Sequence, residues 1–445
     1  MARKILIMGA AGRDFHVFNT CYRGRHDARV VAFTAAQIPH IEDRRYPAAL
    51  AGSDYPDGIP IRPEEELVEW IRKLAVDEVV FAYSDVTYEY VAQRRALVES
   101  TGAAFSTFDV DATMLRSHKP VIAVCAVRTG CGKSQTSRRV VALLCEQGLR
   151  TIVIRHPMPY GDLARQKVQR FATIADLAAH ECTIEEMEEY EPHLAAGAVV
   201  YAGVDYQAIL DQAEQEADVI LWDGGNNDTP FYRPTLWITV ADPHRPGHEL
   251  SHFPGRVNFE RCHLILINKI DTASPAGVAA IEGNACALNP LARLVHAESP
   301  VSVPDPAAIR GKRVLAVEDG PTLTHGEMAF GAATVAARRF GAASLVDPRP
   351  FLCGELVDTF RKYPRIGTLL PAMGYGAQQV HDLEQTIAKV DCDLVLVGTP
   401  IDLGRIVKIS KPTQRVTYEL REKEDALRES VLAVAAQVRR RVASR

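Results

Sequence analysis

The stretch VIAVCAVRTGCGKSQTSRRVVALL, residues 121–144, decides the fold. It opens with an unbroken apolar run, Val121–Val127, the pattern of a strand buried on both faces of a parallel sheet. The run leads directly into Arg128-Thr129-Gly130-Cys131-Gly132-Lys133-Ser134, and a helical pattern follows from Gln135. Phosphates need this arrangement. Glycines let backbone N–H groups turn inward toward a β-phosphate, and the helix amino terminus adds positive potential. Lys133 can reach the β- and γ-phosphates, and the Ser134 hydroxyl is a Mg²⁺ ligand. Thr129, Gly130, Cys131, Gly132 and Gln135 complete the expected nucleotide cradle. The common pattern G-x-x-x-x-G-K-[ST] would place its first glycine at 127, where this chain has Val127.

Two more strand ends carry matching chemistry. In ADVILWDGGNND (217–228) a buried strand ends at Asp223, followed by two glycines. That is the place of the carboxylate that holds Mg²⁺, with room left for a γ-phosphate. Asn226, Asn227 and Asp228 either orient water, phosphate or a cation, or form Asx turns. In HLILINKID (263–271) the strand ends in Asn268-Lys269-Ile270-Asp271. The expected role of Asn268, Lys269 and Asp271 is the nucleotide base, guanine or adenine.

Outward from these motifs the same theme repeats: a short Val/Ile/Leu run, then Gly, Asp or Pro, then a helical pattern. The fold class read from this is α/β, with mostly parallel sheet. The expected division is an N-terminal Rossmann-like domain (1–118), a central P-loop nucleotide domain (119–340) and a smaller C-terminal α/β region (341–445). The last helix is expected to bury Leu427, Val431, Val434 and Val438 on one side. At 445 residues the chain is long enough for about three domains.

Composition narrows the function. A net charge of −5 with 24% charged residues is unlike a nucleic-acid binder. No apolar run approaches the roughly 20 residues needed to span a bilayer, so no membrane partner is expected. The opening MARKILIMGAAGRD reads as a first strand rather than a signal peptide. Nine cysteines, with no C-x-x-C pair, argue against a zinc ribbon or disulfide framework and fit a reducing cytoplasm. Cys125 and Cys145 are expected to be buried thiols. GAAGRD is a weak dinucleotide fingerprint, and NAD is not favoured.

Four loops at strand ends concentrate polar residues: GAAGRDFH (9–16), RHPMPYGDL (155–163), ADPHRPGHE (241–249) and EDGPTLTHGEM (318–328). Arg155, His156, His244, Arg245, His248 and His325 are expected at one edge of one sheet, with Thr324 beside them. Such a cationic rim suits a polyanionic substrate.

The loop G-x-G-K-S resembles that of the dethiobiotin-synthetase and MinD-like branch of P-loop proteins. In MinD-like members a lysine reaches the γ-phosphate of a dimer partner, and Arg128 occupies the matching position. The resemblance thus implies a catalytic Arg128 and a homodimer; a surface arginine beside the loop is the alternative. Taken together, KILIMGAAGRDFHVFN, VRTGCGKSQTSR, RHPMPYGDL, WDGGNND, ADPHRPGHE, LINKID and EDGPTLTHGEM resemble the cyclic 2,3-diphosphoglycerate synthetase family over nearly the whole chain. The resemblance implies a cytoplasmic, ATP- and Mg²⁺-dependent ligase, with K⁺ as an optional further ion. Its substrate would be a small phosphorylated acid closed into a phosphoanhydride. In this reading Lys133, Arg128 and Asp223 are catalytic, Ser134 and Asp223 hold the metal, and Arg155, His156, Arg245, His248, Thr324 and His325 bind substrate. The rival reading is a GTPase switch or metallochaperone-like protein whose hydrolysis drives partner binding.

Overall fold

The computed structural model describes residues 2–36, 44–156, 161–324, 326–372 and 376–443. Three sheets organise them. The N-terminal sheet orders its strands Arg45–Tyr46, Ile59–Pro63, Ala28–Ala35, Arg3–Met8, Glu78–Phe81 and Ala104–Thr107. All its pairings are parallel except that of Arg45–Tyr46. Helices on both faces bury the apolar runs, as the absence of alternation in KILIM and VVAF requires.

The central sheet has nine strands, with Val121–Ala126 between Val219–Trp222 and Leu236–Ala241. Thr151–Arg155 lies beyond Val219–Trp222, and Leu264–Ile267 beyond Leu236–Ala241. These strands are parallel, so their carboxyl ends share one edge. The loops after Ala126, Arg155, Trp222, Ala241 and Ile267 converge there, which is where doubly wound sheets bind ligands. The closing helix, Ala426–Ala443, packs on Lys133–Glu146. Its Leu427, Val431, Val434 and Val438 are buried in the central core.

The third sheet departs from the expected division. Arg313–Asp319, grouped by sequence with the central region, pairs with Leu394–Gly398, Ser344–Leu345 and Leu370–Ala372 instead. The apolar run KRVLAV is as suited to one buried parallel sheet as to the other. What settles its place is the later chain, which supplies the neighbouring strands. The helix that follows this strand is Ala332–Arg339. Glu318 at the end of the new strand accepts the backbone N–H of Ala333 (3.1 Å) and Thr334 (2.7 Å), fixing its start. Cys125 is buried as expected, but Cys145 is exposed, because its turn of the helix faces solvent. No described helix is long and apolar enough to cross a membrane.

Candidate functional site

The phosphate loop sits where the sequence puts it, between Val121–Ala126 and the 14-residue helix Lys133–Glu146. Gly130 and Gly132 have φ of +83° and +108°, the left-handed region that favours glycine. A Cβ at Gly132 would lie 2.0 Å from Asn268 Nδ2. Val127, in contrast, continues the strand, its N–H donating to Val240 O at 3.0 Å. Position 127 therefore has no need of glycine.

Two residues of the N-K-I-D motif brace this loop. Asn268 Nδ2 donates to Cys131 O at 2.9 Å, and Lys269 Nζ to Gly130 O at 2.6 Å. Lys269 also pairs with the buried Asp242 at 3.0 Å. Burial opposes the charge of Asp242, but Lys269 and Arg245 hold its carboxyl down at about 2. Asp271 is exposed and accepts the Ser299 N–H at 3.0 Å.

Asp223, fully buried, is the electrostatic centre. Lys133 Nζ meets its Oδ1 at 2.6 Å, while Arg155 (2.6 Å) and His193 (3.0 Å) meet its Oδ2. Burial penalises the charge, but Arg155, Lys133 and His193 together hold the carboxyl well below the usual range. Arg155 also pairs with Glu189. The glutamate and His193 come from the helix Ile184–Ala195, four residues apart and so on one face. Thr183 and Glu186 start that helix with a reciprocal capping box.

The remaining expected substrate residues do not gather at one rim. Arg155 is 1% exposed. His156 turns away toward Asp228 (3.2 Å) and the Tyr206 hydroxyl (2.9 Å). Arg245 pairs with Asp242 at 3.0 Å and donates to Gly326 O at 2.6 Å. His248 contacts Arg128 at 3.3 Å and stacks on His252, 4.6 Å between centroids. Burial pushes both imidazoles down to about 4. Thr324 is buried, its hydroxyl donating to Gly320 O at 2.9 Å. His325 lies outside the described residues. His244 is half-buried, its ring 5.1 Å from that of Phe330.

Arg128 is buried within the chain. Its Nε donates to Asp85 at 3.0 Å, and Asp85 also accepts the Thr129 N–H at 3.3 Å. Asp85 follows the strand Glu78–Phe81 of the N-terminal sheet and has φ of +58°. Nothing in the sequence around AYSDVT marks it for this task.

The cleft beside the loop has a second wall that the sequence reading missed. Lys133, Ser134 and Gln135 line one side. Glu185, Glu188 and Glu189 of the helix and Glu318 and Asp319 of the third sheet line the other. Glu185, Glu188 and Glu189 fall at i, i+3 and i+4, so their spacing alone marked a single acidic helix face. Burial, with Asp319, Glu185 and Glu189 close by, pushes the Glu188 carboxyl well above its ordinary value. Burial raises Glu318 to about 7 and also raises Asp319.

These residues fit a magnesium nucleotide. The left-handed glycines leave a cradle that a Cβ at 132 would fill, and a helix amino terminus faces it. Ser134 and Asp223 are hard oxygen donors of the kind Mg²⁺ takes beside phosphates. Gly132→Ala is expected to weaken nucleotide binding at least about tenfold, about 1.4 kcal/mol, measured by calorimetric titration. Unchanged affinity would move the phosphates away from this loop.

No protein-family model matches the chain. It is 56% identical over 420 residues to arginine synthetase ArcE of Thermococcus kodakarensis, covering 94% of each chain. It is 26% identical over 152 residues to urease accessory protein UreG of Cenarchaeum symbiosum, 33% of this chain and 70% of that one. Among solved structures, LpxK of Aquifex aeolicus with ATP aligns over 83% of this chain and 99% of its own. That alignment has a TM-score of 0.44 and 10% identity.

Proposed function

This chain belongs to the family of arginine synthetase ArcE, and on that premise we propose that it uses a nucleoside triphosphate to build a guanidinium group on an amino acid. The observation that carries this reading is the sign of the cleft wall. A polyanionic substrate calls for cations, yet beyond Lys133, Lys269 and Arg128 at the loop the cleft presents Glu185, Glu188, Glu189, Glu318 and Asp319. Carboxylates at close quarters raise one another's proton affinity and are relieved by a cation. The α-ammonium of an amino-acid acceptor, the ammonium co-substrate and the guanidinium product each supply one.

The chemistry divides between the two walls. A ureido oxygen of the acceptor attacks the γ-phosphoryl group and releases the nucleoside diphosphate. Ammonia then displaces phosphate at the same carbon, leaving a guanidinium. Lys133 neutralises the transferring phosphoryl group, and Mg²⁺, where bound by Ser134 and Asp223, supplies further charge neutralisation. The acidic wall orients the cationic end of the acceptor so that its oxygen meets the phosphate loop.

Closure of 2,3-diphosphoglycerate is the second reading. The sequence likeness and the cations Arg128, Lys133 and Lys269 beside the loop favour it, and it shares the nucleotide half of the mechanism. Phosphorus NMR with ATP or GTP and Mg²⁺ separates the two. Phosphate release that depends on a ureido amino acid plus ammonium, with arginine formed, is expected. New phosphoanhydride resonances with 2,3-diphosphoglycerate would transfer the assignment to the second reading. Hydrolysis indifferent to both acceptors would overturn the proposal in favour of a nucleotide switch.

A further inference from the structure

The acidic wall is not uniform, and its differences separate structural carboxylates from one that is open. Glu318 is spent: its Oε1 accepts the Thr334 N–H and hydroxyl, at 2.7 and 2.8 Å, and its Oε2 accepts the Ala333 N–H at 3.1 Å. Glu189 is spent on Arg155. Asp319 accepts the Thr322 N–H at 3.2 Å and the Thr322 hydroxyl, and it lies beside Glu188 on the same cleft wall. Two buried carboxylates side by side repel when both are ionised, so the pair favours holding one proton between them. Glu188 is 6% exposed, lines the cleft, and its Oε1 has no hydrogen-bond partner. A buried carboxylate oxygen without a donor costs free energy that a bound donor removes.

Resting on the guanidinium-forming reading, we infer that the Glu188–Asp319 pair, through Glu188 Oε1, is the subsite for the nitrogen nucleophile and receives its proton. The pair carries one proton and one negative charge, the complement of ammonium. Ammonium donates to Glu188 and passes one proton to the pair, which becomes doubly protonated, and neutral ammonia is left. Its lone pair forms the new C–N bond at the activated ureido carbon. The C–O bond to phosphate breaks, phosphate departs with the bonding electrons, and a second nitrogen proton goes to it. The pair then returns its extra proton to solvent. No oxidant or further reactant is needed. A base of raised proton affinity is the right kind for this step, because ammonium is a weak acid.

The groups facing the pair are Glu185 and Glu189 from its own helix and Glu318 from the strand of Asp319. Tyr418 completes the set, with Arg138 behind it, donating to Tyr418 O at 3.3 Å. None of these four facing groups is a cation, which leaves room for a small one.

The test uses the full chain and the variants Glu188→Gln and Asp319→Asn, with steady-state turnover at varied ammonium and varied nucleotide across pH. Glu188→Gln keeps the side-chain shape but cannot hold the charge. A rise of about tenfold or more in the Michaelis constant for ammonium is expected, equivalent to about 1.4 kcal/mol. The constant for nucleotide should stay within about twofold, and the acid limb of the pH profile should disappear. An unchanged ammonium constant and pH limb would overturn the subsite while leaving guanidinium formation standing. Should wild type show no ammonium-dependent turnover, calorimetric titration with methylammonium chloride at fixed ionic strength decides separately. Binding to wild type that Glu188→Gln loses supports the subsite, and no binding overturns it. If Glu188→Gln does not fold, Asp319→Asn answers the same questions, because it too removes the shared proton.

Discussion

Lys133→Ala lowers nucleotide turnover by about two to three orders of magnitude, the usual cost of deleting one well-aimed charge at a transferring phosphoryl group. Burial and the nearby Arg155 lower the proton affinity of this lysine, while Asp223 opposes that shift at 2.6 Å. Lys133 is thus paired with Asp223, with Glu189 also acting on it, and a triphosphate offers it a denser negative charge. The fold is expected to survive the substitution, because Asp223 keeps Arg155 and His193. Release of nucleoside diphosphate together with a thermal unfolding curve checks both halves. Full turnover with an intact fold would exclude this loop as the site of phosphoryl transfer.

Arg155→Met is expected to act on stability instead. The side chain is 1% exposed and bridges Asp223 to Glu189. Methionine fills similar space but leaves a fully buried carboxylate short of its strongest partner. Breaking one side of a buried pair costs about 3–5 kcal/mol. The pH dependence has a definite sign. Asp223 titrates in the fold well below its unfolded value. It therefore contributes stability above that unfolded value, near 4, and loses it as pH falls through the folded one. With Arg155 removed the depression shrinks, so part of that contribution is already missing at pH 7. Urea unfolding should show a large wild-type advantage at pH 7 that persists at pH 4 and narrows only as the pH falls further, through the folded value of Asp223. A difference under about 1 kcal/mol at pH 7 would mean that the buried network only breaks even.

The phosphate loop was legible in sequence because all its requirements are local. A strand, two glycines, a lysine, a hydroxyl and a helix follow one another within 24 residues. Asp223 was legible for the same reason, as a carboxylate at the end of an apolar run. The cationic rim was not what the strand-end arginines and histidines form, because a residue's sign says nothing about its partner. Arg155 and Arg245 were visible; Asp223, Glu189 and Asp242, which occupy them, lie up to 68 residues away. The acidic wall was hidden more deeply. It joins a helix of the central domain to a strand that sequence grouped with that same domain, whereas the strand builds another sheet. Periodicity reports that a segment is a buried strand, not which sheet receives it.

Asp85 has a consequence for how this enzyme is divided. A P-loop domain is commonly treated as a cassette that carries its function wherever it is spliced. Here a carboxylate from the first sheet holds Arg128 and a backbone N–H of the loop itself, while its own N–H donates to Asn227 at 2.7 Å. Removing residues 1–118 would take from Arg128, 4% exposed at the lip of the nucleotide cradle, its buried carboxylate partner at 3.0 Å and leave Glu327 at 3.7 Å. The smallest unit able to hold the loop in this shape therefore begins before Asp85.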